Sequence, residues 1–195
     1  DRAAERPAAA EYFGLDADRP VILVTGGSLG ARRINATVVA SAEALLAAGW
    51  QVLHIVGGRS EVSDPQLAGY RMIEYCDRMD LALAIADVAL SRAGAATVSE
   101  FAALGIPAVY VPYPVGNGEQ RWNARGVVDA GGGILVDDAD FLPGWVSSTV
   151  LPLLADPVAL RRMGERASSA GVADGTDRML ALVDLVSGER PAGGA

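Results

Sequence analysis

Three turns in this chain carry residue types suited to holding a phosphorylated sugar. The first, Gly26-Gly27-Ser28-Leu29-Gly30-Ala31, follows the apolar run Val21–Thr25. Glycines there let the backbone approach a phosphate, and a helix start adds unpaired N–H groups with about half a positive charge. The spacing is neither G-x-G-x-x-G nor a Gly-Lys-Ser/Thr loop, which weakens the dinucleotide and P-loop readings. A tight strand-to-helix turn without ligand stays open. The second, Ser91-Arg92-Ala93-Gly94-Ala95-Ala96-Thr97-Val98-Ser99-Glu100, again runs from a strand end into a helix. Its Ala96 and Thr97 N–H groups could face a diphosphate. Glu100, one turn in, could accept two vicinal ribose hydroxyls, or merely complement the helix dipole. The third runs from Pro112 to Ala124 and clusters Glu119, Gln120 and Asn123 in one helical turn. Amide and carboxylate groups so placed suit neighbouring sugar hydroxyls; ordinary N-capping would need the same residues.

Those turns must be held by a framework, and the composition says of what kind. The chain has 195 residues, 51% hydrophobic and 21% charged, a globular balance long enough for one domain with its own core. One cysteine, Cys76, and one histidine, His54, leave no disulfide framework and no His/Cys metal site within the chain. The 16 basic residues, all Arg, face 24 acids for a net charge of −8. That argues against nucleic acid and against electrostatic docking on anionic lipid. An anionic ligand must then be met by local dipoles and a few Arg. No apolar run reaches the ~18 residues of a membrane span, and the N-terminus does not read as a signal peptide, so a soluble, cytoplasmic chain is expected.

Apolar runs at Val21–Thr25, 51–56, 71–74, 87–91, 108–111 and 133–136 alternate with helical stretches at 31–48, 79–85, 95–104 and 120–130. Helices are also expected at 141–154, 158–170 and 174–187. Strands apolar throughout and separated by helices predict an α/β fold with a Rossmann-like, doubly wound parallel sheet. In such sheets ligands bind beyond the carboxyl ends of the strands, where all three turns lie. Residues 1–19 are expected to form a linker or interdomain segment, 20–188 the domain, and 189–195 a disordered tail.

Taken together, TGGSLGARRIN, SRAGAATVSEFAALGIPAVYVPYP and GNGEQRWNA, in this order and at these separations, resemble the MurG family of peptidoglycan N-acetylglucosaminyltransferases. The resemblance covers about residues 20–185 and only the C-terminal, donor-binding half of a two-domain GT-B enzyme. It implies a fragment of an inverting transferase that moves GlcNAc from UDP-GlcNAc to lipid I, making lipid II. Gly27, Ser28 and Leu29 match the glycine-rich loop near the diphosphate and sugar. Cys76 falls where backbone groups read the uracil edge, and Met79 where a side chain packs by the nucleoside. Ala96 and Thr97 match the helix start at the phosphates, Glu100 the ribose carboxylate, and Glu119, Gln120 and Asn123 the groups at the GlcNAc hydroxyls. No catalytic residue, cofactor or metal is implied in this half. Lipid I binding and peripheral membrane contact would belong to an N-terminal domain, so the chain alone should bind donor without turnover.

Two residues depart from the family pattern. Leu29 stands where Gln is usual, removing a polar contact. Glu119 replaces a Gln, and a carboxylate can accept from sugar hydroxyls but not donate to them. His54 matches a histidine common at this strand end and is read as structural. Three other functions share these features: another GT-B transferase with a different acceptor, a UDP-GlcNAc 2-epimerase, and a non-enzymatic nucleotide-binding module. The epimerase would need acid/base residues that find no place here.

Overall fold

Alternation along the strands builds two cores, one on each side of a single sheet. The computed structural model describes residues 1–27, 31–171 and 180. Six strands, β1 (Val21–Thr25), β2 (Gln51–Ile55), β3 (Tyr70–Ile73), β4 (Val88–Ser91), β5 (Ala108–Tyr110) and β6 (Gly133–Leu135), lie in the order β3-β2-β1-β4-β5-β6, all parallel. Leu23, Leu53 and Ala89 share a register row and face one core. Their neighbours Ile22, Val52 and Val88 face the other, as a two-residue side-chain period requires. Every residue of β1 and β2 is buried. That is the signature of a sheet covered on both faces.

The first face is covered by α1 (Arg2–Phe13), α4 (Met79–Ile85), α5 (Ala95–Ala103) and α6 (Glu119–Asp129), through Phe13, Ile85, Phe101 and Val127. On the second lie α2 (Arg32–Ala40), α3 (Ala42–Ala47), α7 (Pro143–Trp145) and α8 (Leu151–Leu154), represented by Ile34, Val38, Leu45 and Leu154. The last described helix, α9 (Pro157–Ala170), puts Leu160 in the second core and Ala167 in the first, closing the sheet's end. Asp156 caps it, accepting from the Val158 and Ala159 N–H groups.

Residues 1–19 contain a docked helix. Arg6 forks onto Asp87, Nη2 to Oδ2 at 2.9 Å and Nη1 to Oδ1 at 3.2 Å, and the same Oδ2 accepts from the Val21 N–H. α1 is thereby tied to the starts of β1 and β4 by a planar bidentate pair.

Two expected helices are divided. Residues 31–48 form α2 and α3, broken at Ser41, where the β-branched run Thr37-Val38-Val39 and a serine give poor helix propensity. Gly49 then closes α3 in a left-handed turn (φ 88°), with Gly49 N–H bonding to Leu46 O and Trp50 N–H to Leu45 O. Residues 141–154 contain a π-helical turn, Val146–Val150, between α7 and α8. Pro152 has no N–H to return to the preceding turn and its ring crowds it, so the backbone widens there. The helix expected at 174–187 and the tail at 189–195 lie outside the described residues.

Candidate functional site

The strand order reverses direction between β1 and β4, so the loops leaving these neighbours diverge and open a crevice at the carboxyl end of the sheet. A cavity of about 250 Å3 occupies it. Gly27 comes from the β1–α2 loop, Cys76 and Met79 from the entry to α4, and Thr97 and Glu100 from the first turns of α5. Three elements distant in sequence are thus brought to one opening. Gly27 is exposed, has φ 83°, and a Cβ there would meet no protein atom within 4 Å, so the space before its backbone is open. Its N–H is held by Thr25 Oγ1 at 3.3 Å.

No side chain caps α5. Gly94 occupies the N-cap, and the first intrahelical bond is Val98 N–H to Gly94 O at 2.9 Å. The preceding N–H groups of Ala95, Ala96 and Thr97 therefore carry the positive end of the helix dipole with no capping oxygen. Ala96 is exposed and Thr97 half-buried beside the cavity. Glu100, exposed one turn on, presents its carboxylate at the same opening. The arrangement suits a ligand with phosphates at one end and vicinal hydroxyls at the other.

Cys76 is buried, and burial pushes its thiol pKa up, so it is no nucleophile. His54 lies wholly in the core. Its Nδ1 is 2.6 Å from the Tyr70 hydroxyl and its Nε2 is 3.1 Å from Asn35 Oδ1. Asn35 Nδ2 donates to Val56 O and Ser60 Oγ, which leaves Asn35 Oδ1 as the acceptor and assigns the proton to His54 Nε2. Tyr70 then donates to Nδ1. This buried chain fastens the β2–β3 loop and leaves His54 no access to a ligand.

The third turn forms a separate wall. Glu119 and Gln120 line a cavity of about 390 Å3 with Tyr113, Val115 and Asn117. Gln120 Oε1 accepts from the Ala93 N–H at 3.2 Å and the Tyr113 N–H at 2.9 Å, and Asn123 Nδ2 donates to Ala93 O at 3.1 Å. Gln120 Nε2 and Asn123 Oδ1 point to no such backbone partner among the described residues. Beneath the loop, Arg92 Nη1 donates to Val111 O and Pro112 O and pairs with Asp138 at 2.6 Å. Asp138 also faces Arg33 at 3.8 Å. Among the described residues no group of three His, Cys, Asp or Glu side chains could hold a metal.

The structure thus gathers Gly27, Cys76, Met79, Thr97 and Glu100 at one cavity, with Ala96 on the adjoining helix start. Glu119, Gln120 and Asn123 lie on a second wall joined to the first through Ala93. Ser28 and Leu29 lie outside the described residues. Sequence reasoning passed over Glu74 and Tyr75, which line the cavity, Tyr75 being 65% exposed. Extending the strand-end rule to β3 would have found them. It also passed over Arg92, whose part depends on Asp138 far along the chain.

Among curated relatives, one from Leifsonia xyli subsp. xyli is 68% identical over 183 residues, covering 94% of this chain and 51% of its own length. One from Clavibacter michiganensis subsp. michiganensis is 59% identical over 192 residues, covering 98% and 52%. Both are named UDP-N-acetylglucosamine--N-acetylmuramyl-(pentapeptide) pyrophosphoryl-undecaprenol N-acetylglucosamine transferase. The chain spans about half the length of these relatives. The crystal structure of Acinetobacter baumannii MurG aligns with a TM-score of 0.76 at 25% identity, over 94% of this chain and 53% of that one. CalG4, the calicheamicin glycosyltransferase, aligns at 0.64 with 26% identity, over 87% and 45%. The model of the glycosyltransferase family 28 C-terminal domain matches residues 21–179, and with the Rossmann-like sheet and the crevice at its strand ends this shows that the chain belongs to that family.

Proposed function

We propose that this chain is the donor-binding domain of an inverting hexosyltransferase that moves GlcNAc from UDP-GlcNAc to lipid I in peptidoglycan synthesis. The observation that carries it is the convergence of Gly27, Cys76, Met79, Thr97 and Glu100 on one cavity at the strand crossover. The names of the relatives supply the donor and the acceptor class. In this reading backbone groups at Cys76 meet the uracil, Met79 packs by the nucleoside and Glu100 accepts the ribose hydroxyls. The amides of Ala96 and Thr97, with the loop at Gly27, Ser28 and Leu29, meet the diphosphate. Glu119 and the free amide of Gln120 face the sugar.

Residues 20–188 form the donor domain, residues 1–19 join it to an acceptor half, and lipid I and the membrane are met by that other half. None of the described helices is long and apolar enough to cross a membrane, which fits a cytoplasmic enzyme held peripherally at the inner face. No metal or cofactor enters.

Calorimetric titration of UDP and UDP-GlcNAc onto wild type and Glu100→Ala tests the assignment. Wild type should bind both, and Glu100→Ala should lose about 1.5–3 kcal/mol for each with its thermal midpoint unchanged, the scale of a charge-assisted contact. Equal affinity in the two proteins would return Glu100 to a helix-dipole role. Transfer to a lipid I analogue by this chain alone would overturn the division of labour between the halves.

A further inference from the structure

Ala93 is where the two walls of the site are joined. It lies between the end of β4 and the N-cap of α5, is fully buried, and both its peptide groups are engaged by one face of α6. Its N–H donates to Gln120 Oε1 at 3.2 Å and its carbonyl accepts from Asn123 Nδ2 at 3.1 Å. Gln120 and Asn123 are three residues apart, so they are neighbours on the helix surface and close on Ala93 from the same side. The residue that follows, Gly94, has no side chain to steer the backbone, and no side chain caps α5. The aim of the Ala95, Ala96 and Thr97 amides is therefore set from α6. Gln120 Oε1 divides its two lone pairs between Ala93 and Tyr113, whereas Asn123 commits its amide donor to Ala93.

We infer that Asn123 is a positioning residue for the diphosphate, acting through Ala93 on the amides that open α5, and is not a contact to the sugar. The inference rests on the nucleotide-sugar reading above and changes the part played by one residue within it. Donors that must meet a phosphate already aimed need outside support, because a turn free to reorient would lose that aim in the unliganded protein. Asn123 is half-buried, bridges one turn of α6 to the loop before α5, and stands directly before Ala124, which is buried in the core shared by both helices. Its side chain is thus a strut fixed at both ends. Carried through Ala93, that strut makes recognition of phosphate dependent on a residue of the sugar-side helix.

The test is titration of UDP and of UDP-GlcNAc onto the 195-residue chain as wild type, Asn123→Ala and Asn123→Asp. Both variants lack the amide donor, so each should bind both ligands about fivefold more weakly, the scale of one hydrogen bond, with the ratio of the two Kd values unchanged. In ligand-free Asn123→Ala the backbone amide resonances of Ala95, Ala96 and Thr97 should shift while those of Cys76 and Met79 stay. A loss confined to UDP-GlcNAc would overturn the inference and make Asn123 a sugar contact. Wild-type affinities in Asn123→Asp would also overturn it, since the aspartate keeps an acceptor for sugar hydroxyls and has no donor for Ala93. Wild-type chain that fails to bind UDP would overturn the nucleotide reading itself, a result distinct from variants that bind as wild type does.

Discussion

The two ends of the sheet offer cavities of opposite character. At the amino end Pro20, Trp50, Pro107, Leu154 and Leu160 line a space of about 630 Å3, larger than the 250 Å3 cavity at the carboxyl end. The larger space is bounded by residues that immediately precede strands and by the packed helices α8 and α9. Its charged groups include Asp87, already forked onto Arg6 and Val21. The smaller one has an exposed glycine turn, an uncapped helix start and a carboxylate. Volume marks where helices meet a sheet imperfectly; unsatisfied donors mark where a ligand is expected. In a parallel sheet the crossovers send every strand-to-helix turn to the carboxyl end, so the donors accumulate there.

Three changes would break or sharpen that contrast. The largest effect belongs to the amino end. Trp50 is 6% exposed within the second core, and Trp50→Ala should cost ~3–5 kcal/mol in urea unfolding. UDP affinity of the folded protein should stay as in wild type. A parallel loss of affinity would show that the two ends are not independent.

The next change acts on the polar scaffold behind the carboxyl end. Burial lowers the His54 pKa from its ordinary 6.5 to about 4. Between these values the unfolded chain binds the proton and the folded chain does not, so stability is complete above pH 6.5 and falls as the pH drops towards 4. At about 1.4 kcal/mol per tenfold change, the full loss is about 3 kcal/mol. Urea midpoints from pH 7 to 4.5 should show this slope in wild type and a shallower one in His54→Gln. The same slope in both proteins would assign the acid sensitivity to carboxylates instead.

The smallest effect separates the sugar wall from the nucleotide wall. Gln120→Glu keeps an acceptor for the Ala93 and Tyr113 N–H groups and removes the free amide donor. UDP-GlcNAc should weaken by ~1 kcal/mol while UDP is unchanged, read by paired calorimetry. Equal weakening for both ligands would mean that the loop had been disturbed and that the sugar donor lies elsewhere.

Much of this was legible in the residues. Apolar strands alternating with helices implied the parallel sheet, because only crossovers covered on both faces bury such runs. The Gly-rich and Gly-Ala turns, together with Glu100, pointed to the strand ends, where the cavity lined by Gly27, Thr97 and Glu100 lies. Less legible were the helix breaks: Ser41 and Pro152 act through local backbone geometry that helical composition over 31–48 and 141–154 conceals. Asn123 shows the same limit at the site. Its type and spacing suit a sugar hydroxyl, a helix cap or a loop strut equally well, and only the tertiary structure shows its Nδ2 donating to Ala93 O.

By itself, then, the sequence determined the order of elements, the two-faced sheet and the residue types at each strand end, since these follow from local periodicity and turn chemistry. The strand order, the meeting of Gly27, Cys76 and Glu100 at one cavity, and the closing of Asn123 on Ala93 were decided by the tertiary structure. These are contacts between residues about 25 to 75 positions apart, and burial and hydrogen-bond geometry across that separation exist only once the sheet has formed.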